Sequence, residues 1–216
     1  PAFLAFIGVV LAVSVGLLVW RGDALRSEGL LDSPVCRESA FVLNNLLLVG
    51  LTLTVLVGTL FPLFAEAWNG TRLSVGEPYF NTTAVPVALA LLFLMGVGPA
   101  LPWRKASAGV LRRRLLVPAS TALVLSTVLL AAGLRKPTAL AAVALGAFVV
   151  VQALWDIARL GLRRSLASNR RRVGGQIVHV GVALVAVGIA VSSSYQVERQ
   201  ETLRLGETMR VGSHAV

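Results

Sequence analysis

Charged side chains are scarce in this sequence and unevenly placed. Asp, Glu, Lys and Arg make up 14% of the 216 residues, where a soluble domain carries about a quarter. That shortage excludes an ordinary soluble fold, and the 56% hydrophobic content excludes a disordered chain. Cysteine occurs once, as Cys36, so no internal disulfide can form and no CxxC or CxxCH element exists. Cys36 lies in a polar stretch and reads as a free thiol without a role. No P-loop, HExxH or GxSxG motif is present, and no catalytic residue is assigned. An initiator Met and a signal peptide are also lacking: Pro1 starts directly inside a hydrophobic run, as expected of a piece of a longer protein. Acidic residues number 10 against 20 basic ones, for a net charge of +10. Aromatics interleaved with the basic residues are missing, so no surface for stacking bases exists and nucleic acid is set aside as a partner.

What the sequence has instead is length without charge. Six runs contain no Asp, Glu, Lys or Arg: residues 1–20, 39–65, 78–103, 115–134, 137–155 and 173–197. A membrane-crossing helix needs about 20 apolar residues. The expected fold class is therefore an all-α integral membrane protein with six transmembrane helices, at about 2–20, 40–64, 82–102, 115–134, 137–157 and 174–194. Together they form a membrane domain over 1–194. Loops 21–38, 104–114 and 156–172 hold 14 of the 20 basic residues. The positive-inside rule puts them in the cytoplasm and the chain's first residue and C-terminal tail on the outer side. In a bacterium that side is the periplasm. Trp20, Trp103 and Trp155 close spans at the inner interface, and Trp68, Tyr79 and Phe80 bracket the outer loop, as interfacial anchors in contact with lipid. Asp156 and Glu66 are single carboxylates at span ends, where solvation at the interface accounts for them. Residues 202–205 and 208–211 partly alternate polar and apolar side chains around Gly206-Glu207. They read as two short strands opening a small periplasmic β-rich segment, 195–216.

Polar residues within the spans are few. Asn44 and Asn45 lie early in the second, and Gln176 and His179 early in the sixth. His179 is the only histidine in any span; His214 lies in the tail. An ionisable group inside a span marks a functional site by default. Ala183, Ala186 and Ala190 follow His179 on the same helical face. Small residues beside a histidine leave room for a flat, bulky group such as haem, whose iron is often held by imidazole. They equally suit close helix packing, with His179 hydrogen-bonded to a neighbouring helix, and spacing does not choose between the two. A bis-histidine site cannot be completed within this chain.

Two stretches carry a family resemblance. One runs Asn44-Asn45, Gly58-Thr59-Leu60-Phe61-Pro62, Glu66, Ser74-Val75-Gly76-Glu77-Pro78-Tyr79-Phe80-Asn81 and Met95-Gly96-Val97-Gly98-Pro99. The other runs Gly175 to Gly181 through His179, then Gly188-Ile189-Ala190 and Ser193 to Arg199. Both resemble the C-terminal half of the CcmF family, the haem lyase component of bacterial cytochrome c maturation. The resemblance implies an inner-membrane protein that binds a b-type haem and helps attach haem to the CxxCH motif of apocytochrome c. It implies the haem chaperone CcmE and a CcmH-type thiol protein as partners, and His179 as one axial ligand of haem b. The family's tryptophan-rich haem-handling segment, its flanking histidines and the other haem b ligand are absent, so the N-terminal half of the same protein is implied as a further partner. Without it, activity as an enzyme is not expected. Two other readings stay open: a piece of a transporter or channel for haem or another solute, since bent Gly- and Pro-containing helices also line pathways, and a non-catalytic assembly scaffold.

Overall fold

The computed structural model describes residues 2–25, 33–70, 74–160, 169–196, 210–211 and 214–215. It divides into two compact units, Pro1–Asp32 and Ser33–Val216. The first contains α1 (Ala2–Trp20) and a 3₁₀ turn (Gly22–Leu25), with the Arg21 guanidinium 5.1 Å from the Trp20 ring centroid. The second contains α2 (Arg37–Asn69), α3 (Glu77–Val97), α4 (Ala108–Ala131), α5 (Pro137–Leu160) and α6 (Arg170–Tyr195), with a 3₁₀ turn at Gly98–Ala100 after α3. Helices α2 to α6 are long and apolar enough to cross a membrane, and α1 carries a described apolar stretch at Ala5–Trp20. Among the described residues the architecture is thus all-α with five span-capable helices, where six spans are expected over the whole chain. The expected strand 202–205 and the turn at 206–207 fall outside the described residues. In the tail, Arg210–Val211 pairs antiparallel with His214–Ala215.

Local chemistry sets the helix ends. Cys36 is no idle loop thiol. It is buried, caps α2 by accepting from the Ser39 N–H at 3.4 Å, and its Sγ lies 3.0 Å from the Ser33 carbonyl. A thiol here does what Ser or Thr usually does at this position. Ser107 caps α4 through the Val110 N–H. Pro78 sits in the first turn of α3, where its missing N–H costs nothing. At the end of α2, Gly70 adopts φ 65°, and its N–H closes on the Glu66 carbonyl. Thr54, Thr59 and Thr83 return their hydroxyls to carbonyls four residues back, so these polar groups need no other partner in an apolar medium.

Helix α5 is the hub: α3, α4 and α6 all pack on it, whereas α2 packs chiefly on α3. Val149, Leu92 and Ala183 form the buried centre of the α3–α5–α6 contact. Close approach depends on glycine. A Cβ on Gly96 would meet the Phe148 ring, and one on Gly146 the Val187 side chain. At α2–α3, Gly58 faces Tyr79 and Phe80, and Tyr79 donates its hydroxyl hydrogen to the Thr54 carbonyl at 3.2 Å. Tyr79 and Phe80 are therefore packing residues between two helices as well as neighbours of the loop. Because α2 packs on α3 and α6 on α5, a cleft remains between α2 and α6.

Candidate functional site

The cleft is a cavity of about 720 Å³, within the range of about 300–1,000 Å³ usual for small-molecule and cofactor sites. It lies at the end of the bundle where α2 and α6 begin and α3 finishes. Each helix contributes one face. Arg37, Ala40, Phe41, Asn44 and Leu48 come from α2, and Ala88, Leu91, Leu92 and Met95 from α3. Helix α6 supplies Arg172, Gln176, His179, Val182 and Ala186. The last five recur at steps of four, three, three and four residues, which is one stripe of a 3.6-residue helix. The wall is apolar in depth and polar at the mouth.

His179 sits on this wall, and its Nδ1 is buried with no hydrogen-bond partner. A buried imidazole nitrogen without a partner is costly. No hydrogen bond from that nitrogen ties His179 to a neighbouring helix, which is what the purely structural reading requires. The alanines that follow it divide. Ala186 lines the cavity, whereas Ala183 is fully buried against Leu92 and Val149. One small-residue face thus serves both purposes: helix packing at Ala183, and space in the cavity at Ala186, two turns along from the histidine.

The mouth is held together by contacts that helical periodicity does not reveal. Asp156, read from sequence as a solvated interfacial carboxylate, accepts from Arg172 Nη2 at 2.7 Å and Nε at 3.0 Å, and from Gln176 Nε2 at 3.2 Å. This fork binds the end of α5 to the first turns of α6 and fixes the helix that carries His179. Arg37 donates from Nη2 to the Pro99 carbonyl at 2.8 Å, and its guanidinium lies 5.2 Å from the Trp103 ring centroid. Trp103 also contacts Phe41, with centroids 6.2 Å apart. Trp103 is therefore part of the cavity's support and not solely an anchor in lipid. Its own loop is clamped where Glu38 accepts the Arg104 N–H at 3.0 Å on each carboxylate oxygen. Arg37 and Arg172 were not singled out by sequence, and Asp156 only as a solvated carboxylate. The available signal was their position: charges at span ends, in phase with Asn44 on α2 and with Gln176 and His179 on α6. Asn45 does not line the cavity, and the side chain of His214 lies outside the described residues.

No protein-family model matches the chain. Among curated proteins it is 36% identical over 220 residues to the cytochrome c-type biogenesis protein ccl1 of Rhodobacter capsulatus. It is 31% identical over 226 residues to CycK of Rhizobium meliloti, and 32% identical over 210 residues to CcmF of Escherichia coli. These matches take in 98%, 98% and 96% of this chain, and 33%, 33% and 32% of the relatives. The chain thus spans about a third of the length of the curated relatives it matches. The solved structure of the cytochrome c haem lyase CcmF matches it with a TM-score of 0.70 and 35% sequence identity, over 99% of this chain and 33% of that one. Sequence and backbone thus agree with the CcmF/CycK cytochrome c-type biogenesis proteins over nearly every residue of this chain and about a third of theirs.

Proposed function

We propose that this chain supplies the His179 side of a haem b site in an inner-membrane haem lyase of cytochrome c maturation. The observation that carries the reading is the unpartnered, buried Nδ1 of His179 on the wall of a 720 Å³ cavity. The residues present fit the group: an imidazole ligand, the small Ala186 two turns further along the same face, and apolar walls from Leu48, Leu91 and Leu92. When bound, a b-type haem supplies one-electron redox chemistry whose potential its axial ligands tune. His179 would hold the iron through one imidazole nitrogen, with a second ligand drawn from the N-terminal half of the same protein. The apolar walls exclude water from the imidazole. The Asp156–Arg172–Gln176 fork keeps the first turns of α6 in place, so that the histidine is presented in one orientation.

The wider reading follows from the family. Haem arrives from the chaperone CcmE, a CcmH-type thiol protein presents apocytochrome c, and attachment to its CxxCH motif takes place in the periplasm. Helix α1 then completes a six-span membrane domain over 1–194. Residues 195–216 begin a periplasmic β-rich segment, and loops 21–38, 104–114 and 156–172 face the cytoplasm. A solute-transport role calls for polar residues spread along a route. The polar residues of this cavity gather at its mouth, while Leu48, Leu92 and Val182 line the rest, so no observation favours that role.

The test is spectroscopic. His179→Ala in the full-length protein should weaken or shift the reduced b-haem absorption bands while membrane insertion is retained, and His214→Ala should leave them unchanged. A His179→Ala spectrum identical to the parent at equal expression refutes the assignment.

A further inference from the structure

Arg37 is short of partners. Its Nη2 is used once, on Pro99, and its Nε is buried with no hydrogen-bond partner. No carboxylate among the described residues forms an ion pair with it. Glu38 spends both oxygens on the Arg104 backbone N–H, and Asp156 is engaged by Arg172 and Gln176. Like charge gathers here as well, since Arg172 lines the same cavity mouth and Arg114 points its guanidinium at the Ala100 carbonyl nearby. Two helices, α2 and α6, begin at this mouth, and helix N-termini carry partial positive charge. An apolar cavity with an excess of positive charge at one end is shaped for an amphiphile that is flat or apolar in its body and anionic at one edge. Arg172 and His179 are seven residues apart on one stripe of α6, so the cationic mouth and the imidazole face the same cavity two turns apart.

We infer that Arg37, with Arg172 beside it, is the anchor for the anionic edge of the ligand in this cavity, which on the reading above is the pair of haem propionates. The inference rests on that reading for the identity of the ligand. The guanidinium fork suits a carboxylate through paired N–H donors, and an ammonium does not reproduce it. Arg37 is a binding and positioning residue: it sets how deeply the macrocycle enters and which way its edge points, and His179 remains the group at the iron.

The experiment compares two probes on the intact protein in lipid nanodiscs, produced without haem: haem itself and its dimethyl ester, which has no carboxylates. The parent protein should bind haem about tenfold or more tightly than the ester, the worth of a charge-assisted hydrogen bond in a partly buried site. Arg37→Ala should bring haem down to the ester's affinity and leave the ester unchanged, and Arg37→Lys should fall between. Because the ester reports on each variant's own fold, a general loss of structure is seen as weakened binding of both probes. Equal binding of the two probes by the parent, or haem affinity that Arg37→Ala leaves unchanged, overturns the inference. An anionic phospholipid that co-purifies with the parent and is lost in Arg37→Ala, with haem affinity unchanged, also overturns it and gives the anchor to a lipid phosphate. His179→Ala separates this from the underlying reading. If it alters the haem spectrum while ester and haem bind the parent equally, only the anchor fails. If it leaves the spectrum unchanged, the haem assignment fails and the anchor with it.

Discussion

Gly58 offers a quantitative check on how α2 meets α3. A Cβ added at Gly58 would lie 2.7 Å from Tyr79 Cε1 and 2.9 Å from Phe80 Cε1 and Cζ, below any normal carbon contact. Neither ring can easily withdraw. Tyr79 is tethered through its hydroxyl to the Thr54 carbonyl, and it packs edge-on against Phe80 with centroids 5.2 Å apart. The helices must therefore separate, or the rings must leave their rotamers. Overpacking of this kind costs about 1–3 kcal/mol. Alanine also gains about 1 kcal/mol over glycine in a helix, and that gain must be cancelled before the contact is read. Gly50 supplies the control: it lies on the same helix, and nothing stands within 4 Å of its Cβ position. Unfolding of both variants by denaturant in detergent micelles should show Gly58→Ala less stable than Gly50→Ala by about 1–3 kcal/mol. Phe80→Ala should relieve part of the penalty of Gly58→Ala, because the two sites are in contact and their effects are not additive. If Gly58→Ala is as well tolerated as Gly50→Ala, the α2–α3 contact described above is wrong.

Two further outcomes test the frame around the cavity. Asp156→Ala should cost about 1–2 kcal/mol, a modest figure because Arg172 is 46% exposed. Arg172→Ala made together with it should cost less than the sum of the two, and strict additivity in that double-mutant cycle argues against the fork. Orientation is checked by cysteine labelling of intact cells: Ser74→Cys should react with an impermeant thiol reagent and Lys105→Cys should not, and the reverse pattern inverts the topology.

The boundary between what was legible in the sequence and what was not follows the range of the forces involved. An unpaired charge in hydrocarbon is so unfavourable that charge-free runs of about 20 residues marked the places of α2 to α6 without any knowledge of neighbours. His179 was legible for the same reason: an imidazole in an apolar span is conspicuous before anything is known of what surrounds it. The family resemblance was legible too, because the motif residues that carry it are local runs. Two of those runs meet, since Gly58 belongs to one and Tyr79 and Phe80 to the next. The β-rich tail rested on weak alternation over a few residues, and the one described ladder pairs Arg210–Val211 with His214–Ala215.

Periodicity places a residue on a face and does not say what that face meets. Ala183 and Ala186 are equivalent by spacing from His179, yet one is buried against α5 and the other opens on the cavity. Asp156 looked like a solvated carboxylate at the end of a span, and Cys36 like a free thiol without a role in a polar stretch. Their roles depend on partners brought to them by folding: Arg172 and Gln176 across the α5–α6 contact for Asp156, and the turn from Ser33 to Ser39 for Cys36. Arg37 and Arg172 are 135 residues apart in sequence and share one cavity mouth. Their convergence was decided only when α3 and α6 packed on α5 and left α2 to pack on α3, because a contact between distant segments is a property of the assembled bundle and leaves no local trace in either helix.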